Sequence, residues 1–295
     1  MRVTFNAVRD GLGNIQSAQE QYADTQWQVS SGLRVRVPSD DPLSAQRAIQ
    51  DQNQVSGLDA YSQIGDSASA RLSSLDSTLG DIVTRLTQAL TAAHSAQGTA
   101  VSQTTRDAAA STLLAARDAI AGDINTTFNG AYLFSGSNAS VQPYSNGSGS
   151  WVYQGDANPV TVSVDPNRTV TIGVDGQSVL KGGDTTDVLT VLDSLATAAQ
   201  AGDEAGLAAG VDALNRAFSR ATTAQTRVGL DENTLADGTD HLSTLRMAAT
   251  TQLSNDQDAN LADAITKMNQ AQIAYQSALG AVSTASKTSL LDYLR

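Results

Sequence analysis

Residues 58–93 read LDAYSQIGDSASARLSSLDSTLGDIVTRLTQALTAA. Alternating steps of three and four pick out Leu58, Tyr61, Gly65, Ala68, Leu72, Leu75, Leu79, Ile82, Leu86, Ala89 and Ala93. An apolar repeat near 3.5 residues, sustained this long, marks a helix that seeks helical partners along its length. The same spacing near the start reads Phe5, Val8, Leu12, Ile15, Gln19, Tyr22, Gln26, Val29 and Leu33. Near the end it reads Leu261, Ile265, Met268, Gln272, Tyr275, Leu279 and Val282. A third helix is predicted over 104–128 through Leu113, Ile120, Ile124 and Phe128, and a fourth from Leu207 to Leu253. The implied fold class is mainly α: an elongated bundle of long coiled-coil-like helices. A chain that leaves along one such helix and returns along another pairs its N- and C-terminal helices antiparallel.

All five prolines fall in two windows, Pro38 with Pro42 and Pro143 with Pro159 and Pro166, so nothing interrupts a helix elsewhere. Residues 131–183 break the helical pattern with eight of the 23 glycines. There Val160, Val162 and Val164 alternate with polar residues, as do Val170, Ile172 and Val174, on either side of the turn-forming Asp165-Pro166-Asn167-Arg168. Trp151-Val152-Tyr153 adds a further strand, giving a small inserted β module. The expected division is an N-terminal assembly helix with linker (1–42), a helical core (43–130 and 185–254), a β-rich outer insert (131–184) and a C-terminal assembly helix (255–295).

Composition narrows the function. The formal net charge is -12, which disfavours nucleic acid and anionic membrane as partners. No cysteine exists, which removes disulfides, zinc–thiolate sites and thiol nucleophiles. No apolar run is long enough to span a bilayer or to serve as a cleaved signal. Charged residues are 16% and aromatics 4%, so the helical contacts should be thin and lined by Ala. Two histidines, His94 and His241, stand far apart with no Ser, Asp or Cys constellation beside them. Ser39, Asp40, Asp41 and Pro42 read as the cap and first turn of a helix, because adjacent carboxylates suit its positive end. No catalytic, metal or cofactor site is expected, and the chain reads as a non-enzyme. The terminal helices carry polar interruptions and bury little as a pair, so they are expected to pack fully only against neighbouring molecules.

Several segments together carry a resemblance. Ser30-Ser31-Gly32-Leu33-Arg34-Val35, followed by Pro38-Ser39-Asp40-Asp41-Pro42, resembles the N-terminal signature of the bacterial flagellin superfamily. Phe128-Asn129-Gly130-Ala131-Tyr132-Leu133-Phe134-Ser135-Gly136 is similar to a motif of the branch found at the hook–filament junction. Flagellins share its Phe-Asn-Gly but generally not the residues after the glycine. Arg227–Leu235, Asn269–Gln276 and Ser289–Leu294 are similar to the returning helices of these proteins. The resemblance implies a flagellin-like bundle, exported through the flagellar type III apparatus without a cleaved signal peptide. It implies an extracellular place in the flagellum, self-association in a ring, hook-associated protein 1 on the hook side and flagellin on the filament side. An export chaperone would bind the C-terminal helix. A short flagellin is the alternative, and a type III needle-tip or translocator protein a more distant one. The residues expected at the assembly interface are Phe5, Val8, Leu12, Ile15, Tyr22, Val29, Leu33, Leu261, Ile265, Met268, Tyr275, Leu279 and Val282.

Overall fold

The structure is a computed structural model, and it describes the backbone of residues 2–147, 150–165 and 168–293, with the side chains of all these except 2–8 and 285–293. Helices α1 (Arg2–Ser31), α2 (Pro42–Ala96) and α3 (Gln103–Ile124) come first. Three antiparallel strand pairs come next: β1 (Thr127–Phe128) with β2 (Ala131–Tyr132), β3 (Tyr144–Gly147) with β4 (Ser150–Tyr153), and β5 (Thr161–Asp165) with β6 (Arg168–Thr171). Helices α4 (Gly176–Leu180), α5 (Val188–Ala201), α6 (Glu204–Gln257) and α7 (Leu261–Tyr293) complete the chain. It divides into two compact units: Met1–Gly57 with Leu245–Arg295, and Leu58–Thr244.

In the unit Leu58–Thr244 the leucine repeat of α2 faces inward as expected, with Leu72, Leu75, Leu79, Ile82 and Leu86 essentially sealed from solvent. Gly65 lies against Thr239 and Leu235, and Gly80 against Gln225, so α2 runs antiparallel along α6 here. The third helix stops at Ile124, short of the predicted 128, because the chain turns at Asn125 and Phe128 enters β1. Helix α5, which the repeat does not single out, packs on α3. Asp187 caps its start by accepting from the Thr190 amide, and Gly202 ends it in the left-handed region.

Asn125 fastens the β module to α3. Its Nδ2 donates to the Tyr144 carbonyl at 2.9 Å, and the Tyr144 amide donates back to its Oδ1 at 2.9 Å. Leu133, Phe134 and Tyr144 enter the same core as the helical leucines, so the insert shares that core. The predicted strand at 151–153 forms within β4, and the predicted hairpin forms as β5 with β6. β5 starts at Thr161 and β6 ends at Thr171, however, so Val160, Ile172 and Val174 lie outside the strands. The turn residues Pro166 and Asn167 lie outside the described residues.

Among its described residues this unit buries forty apolar side chains. The other unit has six among its described residues, Val35, Ala45, Ala48, Ala249, Ala264 and Ala271, five of them alanines. That asymmetry locates the functional question.

Candidate functional site

Within the unit Met1–Gly57 with Leu245–Arg295, α1 and α7 pack along one another. Gly11 of α1 approaches Val282 of α7, while at the opposite ends Leu33 bridges Asp258 and the Ala259 amide donates to the Gly32 carbonyl at 2.8 Å. The pair is therefore antiparallel.

The inward-facing residues of α1 are Gly11, Ile15, Ala18, Tyr22, Thr25 and Val29, and those of α7 are Ala264, Met268, Ala271, Tyr275, Ala278 and Val282. Both keep strict alternating steps of three and four. A methyl built on Gly11 would come within 2.7 Å of Val282 Cγ2, so this backbone approach needs the smallest residue. Continued at seven-residue steps, that register sets Ala18 opposite Tyr275, Thr25 opposite Met268, Tyr22 opposite Ala271 and Val29 opposite Ala264. Small faces large throughout, which packs two thin helices closely.

The structure thus divides the residues expected at the interface. Ile15, Tyr22, Val29, Met268, Tyr275 and Val282 lie on the intramolecular seam, and Leu33 is half-buried in the bridge to Asp258. Leu12, Leu261, Ile265 and Leu279 are exposed, by 54%, 51%, 40% and 42%. The side chains of Phe5 and Val8 lie outside the described residues. Gln19, Gln26 and Gln272, read from sequence as interruptions of the seam, are exposed and do not interrupt it. Sequence reasoning misses Gly11, Ala18 and Ala264, because small residues score poorly in any search for apolar periodicity.

Exposure of large apolar side chains is lopsided. Among the described residues, nine of the twelve conspicuous cases belong to this unit: Leu12, Val37, Leu43, Ile49, Met247, Leu261, Ile265, Ile273 and Leu279.

The linker is tied down by charge. Pro42 opens α2, and Asp41 caps it, accepting from the Ser44 amide at 3.1 Å. Asp40 accepts from the Arg36 and Val37 amides at 3.0 Å, closing the loop before the helix, and Ser39 lies exposed within it. Arg34 donates to Asp41, to Ser44 and to the Asp256 carbonyl, which stitches the linker to the last turn of α6. The Arg36 guanidinium sits 5.6 Å from the Trp27 ring centroid.

These contacts make the linker acid-sensitive. Hydrogen bonds from Ser44, then the Arg34 guanidinium, hold Asp41 down at about 2, and the Val37 and Arg36 amides hold Asp40 below its ordinary value. A carboxyl depressed in the fold stabilises it above its unfolded value near ~3.9, and that contribution is lost as pH falls through the folded value. In the other unit burial raises Asp123, Asp231 and Glu232 while hydrogen bonds hold Asp156 and Asp184 down, so acidification acts in both directions there, against a much larger core. Titration from about pH 4 toward pH 2 should therefore disturb Trp27 fluorescence before Trp151 fluorescence. Simultaneous responses would contradict this assignment.

Among the described residues no cluster of three or more His, Cys, Asp or Glu could hold a metal, and no helix is long and apolar enough to cross a membrane. A cavity of about 510 Å³ in the unit Leu58–Thr244 is lined by Asp175, Arg220, Arg227 and Asp231. Asp175 is occupied capping α4, and Arg220 is bound to Asp184 and the Val179 and Leu180 carbonyls.

Comparison with known proteins matches residues 6–139 to the bacterial flagellin N-terminal helical region and residues 211–294 to the bacterial flagellin C-terminal helical region. The chain is 29% identical over 170 residues to flagellar hook-associated protein 3 of Escherichia coli (strain K12), covering 57% of this chain and 52% of that protein. It spans about half the length of the curated relatives it matches. A Vibrio parahaemolyticus chain described as a flagellar hook-associated protein superposes with a TM-score of 0.71 at 20% identity, covering 74% of this chain and all (100%) of that one. The flagellar junction protein FlgL from Legionella pneumophila superposes with a TM-score of 0.59 at 12% identity, covering 72% and 100%. At those identities the likeness speaks for the fold.

Proposed function

The chain belongs to the bacterial flagellin family, and on that premise we propose that it is a structural component of the flagellum, joining the hook to the filament. The observation that carries this reading is the uneven distribution of apolar surface. The unit built from the two termini buries little within itself and exposes nine large apolar side chains. Covering the remaining surface of each contributes about 1 kcal/mol, so the set favours a shared, multi-subunit packing strongly. The other unit has a thick core and exposes three, Ile64, Val152 and Leu230, as befits a part that folds independently of neighbours.

In this reading the terminal helices form the assembly elements of a ring, with hook-associated protein 1 on one side and flagellin on the other. The chain is exported unfolded by the type III apparatus with its N-terminal region uncleaved, and a chaperone covers α7 until assembly. The likeness to hook-associated protein 3 and the Tyr132–Gly136 motif favour this role over that of a short flagellin.

A strain lacking the chain should show hooks without filaments by electron microscopy, with flagellin shed into the medium. Immunogold labelling of the restored chain should mark a single band at the junction. Label along the whole filament, or normal filaments in the deletion strain, would overturn the assignment.

A further inference from the structure

We propose that the cavity of about 510 Å³ in the unit Leu58–Thr244 binds a free dipeptide with apolar side chains, its carboxylate held by Arg227 and its ammonium by Asp231. Every residue lining the cavity belongs to that unit, so the site owes nothing to the terminal helices.

The cavity is preformed. The deeply buried part of its lining is apolar: Leu72 of α2, Val179 of α4 and Val228 of α6 are each exposed by 2% or less. Two fixed loop segments line it as well. Ahead of β5, the Asp156 carboxylate accepts from the Asn158 amide at 3.0 Å. After β6, the Ile172 amide donates to the Val160 carbonyl at 2.7 Å, and Asp175 caps α4. Its volume falls within the ~300–1,000 Å³ of cavities that enclose small ligands.

Elimination leaves two charges for a ligand. Of the four charged residues in the lining, Asp175 is spent on its cap, and Arg220 on Asp184 with the Val179 and Leu180 carbonyls. The hydroxyl protons of Ser178, Ser219 and Thr223 go to the carbonyls of Asp175, Asn215 and Ser219. Arg227 and Asp231 take no hydrogen-bond or ion-pair partner among the described residues. They stand four positions apart on α6, with the cation first, which is the weaker order for a helical ion pair. Leaving that pair open therefore costs little. Asp231 is also half-buried, and burial raises its carboxyl, so a cation arriving there relieves a penalty already present.

Charge and spacing select the occupant. A simple anion would meet Asp231 and a simple cation Arg227, whereas a zwitterion satisfies both. Four residues of helix separate the two Cα atoms by about 6 Å. A single α-amino acid carries both charges on one carbon, too close together for that span. A dipeptide, with Cα atoms about 3.8 Å apart, sets its charges at the required separation and offers two side chains to Leu72, Val179 and Val228. An internal protein segment would bring neither charge, and a protein terminus only one.

Saturation-transfer NMR on the full chain with L-leucyl-L-leucine should show saturable binding with a Kd of about 1 mM or tighter. Acetylating the dipeptide's amine or amidating its carboxylate should each weaken binding by about tenfold or more. Arg227→Gln and Asp231→Asn should each weaken binding of the unmodified dipeptide to the same degree. Both substitutions nearly conserve shape, and Trp151 fluorescence verifies that the unit stays folded. Absence of saturable binding up to ~20 mM, or equal affinity for free and capped dipeptides, would overturn the proposal. So would weakening by only one of the two substitutions, which would leave a site for a single charge. None of these results bears on the junction role, which the deletion strain and immunogold labelling test separately.

Discussion

Gly136→Ala is expected to lower the stability of the unit Leu58–Thr244 by about 3–5 kcal/mol, against about 1 kcal/mol for Gly130→Ala. Both glycines have positive φ, 68° and 80°, so both substitutions force a side chain into the left-handed region. They differ in what the new methyl meets. At Gly130 nothing lies within reach, whereas at Gly136 the methyl would overlap the Asp156 carbonyl oxygen and its Oδ1. Asp156 has no freedom to retreat. Its amide donates to the Ser135 carbonyl at 3.0 Å, and its carboxylate accepts from the Ser137 amide and hydroxyl at 2.8 and 2.6 Å. Its carbonyl and that of Phe134 share the single proton of the Tyr153 hydroxyl, at 3.1 and 3.0 Å. Moving Asp156 therefore loosens the segment that carries Leu133 and Phe134 into the core. Denaturant unfolding followed by Trp151 fluorescence measures both variants, and equal losses would show that φ alone, not this close approach, demands glycine at position 136.

The same motif illustrates what sequence can and cannot deliver. Phe128–Gly136 is recognisable as a family segment, yet its physical role needs Asp156 and Gly155, about twenty positions onward. Strands β1 and β2 are two residues each, too short for alternation to register, so only the Asn129-Gly130 turn hints at them. The long helices are legible because Leu72 through Leu86 repeat without exception. The terminal seam is half legible. Ile15, Tyr22 and Val29 stand out, but apolar spacing puts Leu12, Gln19 and Gln26 at the intervening position, where the structure has Gly11, Ala18 and Thr25. A size-ranked search prefers leucine to glycine, whereas two closely approaching backbones require the reverse. Apolar spacing alone thereby merges two stripes, one spent inside the chain and one still exposed. Ala-lined contacts are foreseeable from a composition poor in large side chains, but their phase is not, since alanine is common on every face of these helices.

In the isolated chain, Trp27 should report unfolding at roughly 1–2 M urea, at least about 2 M below the transition reported by Trp151. The chain has two tryptophans, one in each unit, so Trp27→Phe and Trp151→Phe each leave a single reporter. Trp151 packs against a core of tens of buried apolar residues, while the unit around Trp27 buries chiefly alanines. Each alanine contributes less than half what a leucine does, while the entropy cost of ordering a residue is similar in both units. Continuity of α2 and α6 across the division does not enforce a joint transition. A helix can fray inward from one end and stay folded where tertiary packing holds it, because propagation and not nucleation is at stake. Superimposable transitions at high urea would mean that the terminal pair is satisfied by itself, and the driving force argued for assembly would vanish. Separate transitions, with the Trp27 step moving to higher urea in isolated flagella, would identify the missing stabilisation as the neighbours' contribution.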